Sequence, residues 1–459
     1  WRSLKYRPQF FKALSQQWRK RNRKAINAER RQLVKKVFEQ NGISKSLRER
    51  FPNCKGMDEG WQEATANHLE LGGYSKGAMS RLQTHRDGSK VFSSIWKAIN
   101  RATKRVWMET YILANDRVAI TTIKCLTKAA ARGVHVILLY DAVGCSPNPP
   151  YPALRELQRA GGKVVEFRPL FTGKNKFSAL SDIMVRNHRK IIVVDKDTAF
   201  CGGMNIGSDY AGKEVGGSGR FKDLHCIVEG PVVHELSRVF IQSLQRAEPK
   251  EWQRIILPWT PKRLSAEHSR ATEKAKSQPY KDGVLIQAVH SDPRMKVHQR
   301  KKDIRDAYIM AFNAARKHIY ITTPYLLMPL RLMKALIAAS NRGVDVRILK
   351  AGKCDVFGIS HASRHVSRKL NKHNILVYEY MPRELHMKMV TIDGVYSVIG
   401  SYNFDIMSYR HNLEVNLHIW DVNVAIQNEL VFLKYIANKA MMVNTNTSTY
   451  KFILNYFFY

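Results

Sequence analysis

The chain has 459 residues, of which 44% are hydrophobic and 25% charged, a balance that excludes a disordered or fibrous polypeptide and leaves room for two or three folded domains. Its 76 Lys and Arg stand against 38 Asp and Glu, a formal net charge of +38. A field of that strength points to a polyanionic partner, whether anionic membrane, nucleic acid or phosphate substrate, in preference to a basic exterior that serves solubility alone.

Residues 1–85 read as a basic, mainly helical N-terminal extension. Arg19, Arg21 and Arg23 cluster there behind Trp1, Phe10, Phe11, Leu14 and Trp18. Such a stretch suits the region beside a mitochondrial transit peptide, an amphipathic surface helix, or a solvated helix of the mature fold. Residues 86–250 then alternate a helical run, a β-branched strand at 106–112, a second helix closed by Arg132-Gly133, and a strand at 134–139. Glycine just past the last helical turn supplies the left-handed cap, so Gly133 marks a helix end. Residues 251–284, with Pro258, Pro261 and Pro279 among Lys, Arg, Ser and Glu, read as a linker. Over 285–440 the same order returns: a helix at 304–315, a strand at 319–325, a helix closed by Arg342-Gly343, and a strand at once. Residues 441–459 read as a tail whose last ten residues, rich in Tyr and Phe, dock on the body or rest against lipid.

A repeated order of strand and helix predicts two similar α/β lobes with parallel strand pairing. No run approaches the roughly 18 apolar residues of a spanning helix. The six cysteines, Cys54, Cys125, Cys145, Cys201, Cys226 and Cys354, show neither a CxxC pair nor ligand spacing and are expected as buried thiols.

Each lobe carries one copy of a chemical signature. In the first, His188-Arg-Lys190 is followed after an apolar run by Asp195 and then Gly202-Gly203-Met204-Asn205. In the second, His386-Met-Lys388 leads to Asp393 and then Gly400-Ser401-Tyr402-Asn403. Residues two apart on a strand project to one face, so each His lies beside its Lys. An imidazole next to a fixed ammonium is poor core material and a useful phosphate site: the lysine neutralises a phosphoryl oxygen while the imidazole reaches phosphorus or a leaving oxygen. Asn205, Ser401 and Asn403 offer further hydrogen bonds. Each imidazole also needs an acceptor to orient it; Asp223 is the candidate for the first motif and Glu414 for the second.

With these residues the chain resembles the phospholipase D superfamily with its paired HKD motifs, and within it the bacterial-type cardiolipin synthases, over about residues 75–435. The segments Glu109-Thr-Tyr-Ile112, Tyr140-Asp141-Ala-Val-Gly144, Thr322-Thr-Pro-Tyr325 and Tyr378-Glu-Tyr-Met-Pro382 extend the likeness. The resemblance implies two lobes with the site at their interface and a catalytic set of His188, Lys190, Asp195, His386, Lys388 and Asp393. It also implies a phosphohistidine intermediate with neither metal nor cofactor, and a phosphatidylglycerol-type substrate on an anionic membrane. Three positions depart from the pattern: Gly203 stands where serine is common, and Met407 and His411 where arginine and leucine are.

The leading expectation is therefore a peripheral-membrane phosphatidyltransferase making cardiolipin, placed in a mitochondrion by its arginine-rich start or on the cytoplasmic face of a bacterial inner membrane. The charge also admits a phospholipase D fold recruited as an RNA-bound component of an assembly such as a mitochondrial ribosome. A nuclease or other phosphodiesterase of the superfamily is a third reading.

Overall fold

The computed structural model describes residues 78–169, 184–278, 280, 282–293, 304–352 and 359–443, together with Trp61, Ala64, Thr65 and Leu69. Of the expected N-terminal helices only those four residues are described, all of them helical; the C-terminal tail beyond residue 443, Cys54 and Cys354 lie outside the described residues.

The first lobe runs β1 (Ala78–His85), α1 (Gly88–Arg101), β2 (Arg105–Thr110), α2 (Arg117–Ala131), β3 (His135–Asp141), α3 (Tyr151–Arg159), β4 (Lys163–Phe167), β5 (Ile191–Val194), β6 (Thr198–Gly202), β7 (Phe221–Lys222), β8 (His225–Glu229) and α4 (Val232–Ala247). Two helices follow, α5 (Trp252–Ile256) and α6 (Pro261–Ser277). The second lobe runs β9 (Val284–Ser291), α7 (Ile304–Ala314), β10 (His318–Thr323), α8 (Leu330–Asn341), β11 (Asp345–Ala351), α9 (Ile359–Asn371), β12 (Leu376–Tyr380), β13 (Glu384–Leu385), β14 (Met389–Ile392), β15 (Tyr396–Gly400), α10 (Ile406–Arg410), β16 (Glu414–Trp420), α11 (Val422–Lys439) and β17 (Ala440–Met442).

Fifteen strands form one sheet in the order β17-β12-β11-β10-β14-β15-β16-β9-β1-β8-β6-β5-β2-β3-β4. Read outward from the β1–β9 pair, the two lobes repeat the same seven-strand order, so the duplication seen in the sequence is a duplication of topology. Antiparallel pairing of Ala78 with Ile286 and Ser80 with Val284 joins them. Residues 78–85, expected within a helical extension, are thus a central strand.

Parallel pairing holds for β2-β3-β4 and β10-β11-β12, whose connections are helices. The inner strands are antiparallel instead. Only the three residues Asp195 to Asp197 separate β5 from β6, and a turn that short reverses the chain. Strand β5 is buried on both faces, which is why it reads as an unbroken apolar run. Gly133 and Gly343 adopt φ of 83° and 88° just past α2 and α8, the left-handed ends that their Arg-Gly pairs predict.

One core passes through both lobes. It joins Val232, Leu236 and Phe240 of α4 to Ile286, Ala288, Val415 and Leu417 of the second lobe. The segment 251–284 belongs to the same body: it is largely helical, and Ile256, Trp259 and Leu264 are buried in that core. The segment read as a linker joins the lobes through helices, with Pro258 preceding and Pro261 opening α6, where a missing N–H costs nothing. The four described cysteines are buried and unpaired. Among the described residues, no helix is long and apolar enough to cross a membrane.

Candidate active site

His188 and Lys190 lie on extended chain entering β5, and His386 and Lys388 on the equivalent chain entering β14. Each lysine folds back onto its own histidine's carbonyl, Lys190 Nζ at 2.7 Å from His188 O and Lys388 Nζ at 2.6 Å from His386 O. All four side chains are buried. The residue between each pair points the other way, into the body. Arg189, fully buried, donates to Val239 O, Ser243 Oγ and Gln242 Oε1 of its own lobe, and to Glu414 O and Ser291 O of the other.

The two motifs are bound together by main chain. His188 N donates to Leu413 O at 3.0 Å and Leu413 N to Arg186 O at 2.8 Å, a short parallel bridge between lobes. Its counterpart is the parallel pair of β13 with β7, continued by His386 N donating to Lys222 O at 2.8 Å. The residue after Leu413 is Glu414, and the residue after Lys222 is Asp223. Each bridge therefore delivers a carboxylate to the opposite lobe's imidazole.

His188 Nδ1 lies 3.0 and 3.1 Å from the two oxygens of Glu414, and His386 Nδ1 lies 2.5 Å from Asp223 Oδ2. Both acids pair with a histidine, but the partners are exchanged relative to the sequence-based expectation, which assigned Asp223 to His188 and Glu414 to His386. Proximity in sequence misled because a strand carries its end away from its own motif and toward the neighbouring lobe.

Glu414 is held by more than its histidine. It accepts hydrogen bonds from Ser401 Oγ at 2.5 Å, Ser408 Oγ at 2.7 Å and Asn412 Nδ2 at 3.4 Å. Burial pushes its carboxyl up, yet the pull of His188, Lys190 and these donors outweighs burial and leaves it below the usual range. On the other side Gly203 occupies the place of Ser401. A Cβ there would fall 2.2 Å from Asp223 Oδ1, so glycine makes room for the shorter acid.

Electrostatics tie the four groups into one site. Burial lowers the pKa of His188 against the opposing pull of Glu414, with Lys190 and Lys388 adding to the depression. His386 is pushed down to about 4 by burial and then by Lys388, whose Nζ is 2.9 Å from both ring nitrogens, with Lys190 contributing. Lys190 is pushed down to about 7 by burial, opposed by Glu414, with Lys388 lowering it further. Two lysines that each depress the other site's titration, flanked by Glu414 and Asp223, make a centre that suits an anion.

Aromatic walls complete it. Tyr111 meets His188 edge-on at 5.1 Å and lies beneath the Lys190 ammonium, while Tyr210 and Phe221 flank His386 at 5.3 Å each. Sequence reasoning did not single out Tyr111, Tyr210, Ser408 or Arg189. Tyr111 lies in the Glu109-Thr-Tyr-Ile112 segment of the family likeness, and Ser408 left a signal because Asp405-x-x-Ser408 reads as a helix cap and Asp405 does cap α10. Asn205 accepts from Ile112 N and donates to Tyr210 OH, bracing the turn. Asn403 is buried, and among the described residues its Oδ1 has no hydrogen-bond partner.

Asp195 and Asp393, expected in the catalytic set, sit at the far ends of β5 and β14, roughly 20 Å along the chain from the histidines. Asp195 accepts from Thr103 N and Oγ1, Lys104 N and Arg105 N. Asp393 accepts from Trp61 Nε1 and the N–H groups of Arg316, Lys317 and His318. Both hold φ near +54°, values of 53° and 55°, in the turn. They tie the hairpins to the starts of β2 and β10, which is structural work.

The model of a family described as "Cardiolipin synthase, PLD-like domain" matches residues 95–218 and 308–436, one match per lobe. A probable cardiolipin synthase of Bacillus subtilis is 28% identical over 394 residues, covering 84% of this chain and 72% of the relative. Cardiolipin synthase 2 of Bacillus anthracis is 30% identical over 384 residues, covering 81% and 70%. In fold, the phosphatidylserine synthase of Haemophilus influenzae superimposes with a TM-score of 0.60 at 12% identity, covering 84% of this chain and 92% of that one. With two matched lobes and paired His-Lys motifs at their junction, this chain belongs to the cardiolipin synthase type of the phospholipase D-like family and is a phosphatidyltransferase of that superfamily.

Proposed function

We propose that the protein joins two phosphatidylglycerol-type lipids into cardiolipin, with both imidazoles acting on one phosphodiester. The observation that carries this reading is the reciprocal exchange of carboxylates across the lobes. With Nδ1–H donating to a carboxylate, each ring turns its Nε2 to the reaction, as a lone pair on the attacking imidazole and as an N–H on the imidazolium that protonates the leaving oxygen, an assignment made from the hydrogen-bond partner.

In the first step one Nε2 attacks phosphorus, the P–O bond to glycerol breaks, and the second imidazolium gives its proton to the departing oxygen. In the second step the hydroxyl of another lipid's glycerol attacks the phosphohistidine, the second imidazole takes the hydroxyl proton, and the N–P bond breaks. Lys190 and Lys388 stabilise the extra negative charge on the equatorial oxygens. Water in place of the acceptor would yield phosphatidic acid, so the reading requires that water be kept out, which the burial of all four groups favours.

The bacterial relatives support a bacterial membrane as the place of action, where the net charge of +38 would hold the protein against anionic lipid. Incubation with phosphatidylglycerol vesicles should give cardiolipin and glycerol in equal amounts. His188→Ala and His386→Ala should each abolish steady-state transfer, and acid-labile phosphate should be trapped on one of the two histidines. Unchanged turnover in both variants would sink the two-histidine scheme.

A further inference from the structure

We propose that the first lobe carries a second anion site, apart from the histidines, that binds a phosphate-bearing ligand in the groove between α6 and the β5–β6 turn. A cavity of about 760 Å³ opens there. Lys196 in its wall follows Lys190 by six residues through the extended β5, so the two sites are roughly 20 Å apart along the chain.

The groove is basic by construction. From α6 come Arg263, Arg270 and Lys274, whose offsets of seven and eleven residues place them on one helical face; Lys104 and Lys196 line it from the sheet. Arg270 and Lys274 are also four apart, a like-charge spacing that weakens a bare helix and is relieved by an anion between them. Two of the three acids in the wall already hold arginines: Glu267 with Arg105 at 3.1 Å and Arg263 at 3.7 Å, and Glu229 with Arg81 at 3.2 Å. Among the described residues no ion pair engages Lys104, Lys196, Arg270 or Lys274, and Asp197 is the one lining acid left to offset them.

A second observation points the same way. His234 lines the cavity at 2% exposure, and among the described residues its buried Nδ1 has no hydrogen-bond partner; Glu267 Oε2 lies 3.9 Å away, outside hydrogen-bonding range. A buried polar atom left unpaired in the wall of a cationic groove is the kind of group that a bound ligand satisfies. The second lobe has no counterpart, because no helix follows α11 there among the described residues, and the Asp393 turn is instead met by Trp61. The groove therefore belongs to α6 alone.

The cavity exceeds what a lone phosphate fills and lies within the range of small-molecule sites, which fits a phosphate attached to an organic group. Such a ligand has two sources, a soluble phosphorylated metabolite or the headgroup of an anionic lipid. Two arms separate them: calorimetric titration of the full chain with inorganic pyrophosphate, and sedimentation with phosphatidylcholine vesicles with and without phosphatidic acid.

The groove variant is Arg270→Glu with Lys274→Glu. The control is Lys262→Glu with Lys276→Glu, the same change of charge on the same helix away from the groove. Pyrophosphate affinity should fall by about tenfold or more in the groove variant, and by no more than about twofold in the control, with both melting as the wild type does. If phosphatidic acid vesicles are also released by the groove variant alone, the ligand is a lipid headgroup; if vesicle binding is unchanged, it is a soluble phosphate. Equal weakening by both variants would assign the binding to the diffuse field and overturn the site. So would the absence of pyrophosphate binding to the wild-type chain, or vesicle release without any loss of pyrophosphate affinity.

Discussion

Lys190→Met should make this protein more stable while ending its activity. The ammonium is buried, and burial brings its pKa from the ordinary 10.5 to about 7. A shift of that size corresponds to about 5 kcal/mol by which the fold disfavours the charged form. Loss of the hydrogen bond from Nζ to His188 O returns about 1 kcal/mol, leaving a net gain of about 4 kcal/mol for a methionine of similar shape. The sign follows from proton binding. Between about pH 7 and 10 the unfolded chain holds the lysine proton and the folded chain does not, so the wild type gains stability as pH rises through that window. The penalty is complete below about pH 7 and gone above about pH 10.4, where both states are neutral. For a body of this length, roughly 1 °C of Tm corresponds to each kcal/mol, so the variant should melt about 4 °C higher at about pH 6 and level with the wild type near pH 10. Calorimetric melts at three pH values, with transfer assayed on phosphatidylglycerol vesicles, test both halves. A variant that melts at or below the wild type near pH 6, or a difference that does not change with pH, would refute the reasoning.

The same titration predicts that kcat/KM falls as pH rises through about 7, since Lys190 then enters the reaction neutral; Lys190→Arg, if folded, should lack that alkaline limb. Double-mutant cycles on stability should show coupling of about 1.5–3 kcal/mol for His188 with Glu414 and for His386 with Asp223, and close to none for His188 with Asp223. The opposite pattern would restore the within-lobe pairing. Gly203→Ser should displace Asp223 and lower kcat with little change in KM, to be read in steady-state kinetics, because its Cβ would sit 2.2 Å from Oδ1. Asp195→Ala should cost about 2–4 kcal/mol in denaturant melts through its lost bonds to Thr103, Lys104 and Arg105, while transfer per folded molecule stays within about twofold. A loss of turnover without a loss of stability would return it to the catalytic set.

Much of the site was legible because its chemistry is local. A histidine and a lysine two apart, entering an apolar strand, suit a phosphate, and the repeat of that unit is what reads as two half-sites. Helix ends were readable for the same reason, since Gly133 and Gly343 answer to the backbone of their own turn. The aspartates of the motif were misread: their spacing is fixed by the length of β5 and β14, and that length carries them away from the chemistry. The helical form of the linker was not legible because proline marks both loops and the first turn of a helix such as α6.

By itself, then, the sequence determined which groups make up the proposed site and that there are two sets of them. Tertiary structure alone decided who orients whom. Glu414 reaches His188 and Asp223 reaches His386 because each follows a main-chain bridge formed with the other lobe, 226 and 163 residues away along the chain. A pairing made by docking two sheets edge to edge through β1 and β9 leaves no mark in either motif, since the residues that meet share neither a helix, a strand nor a turn.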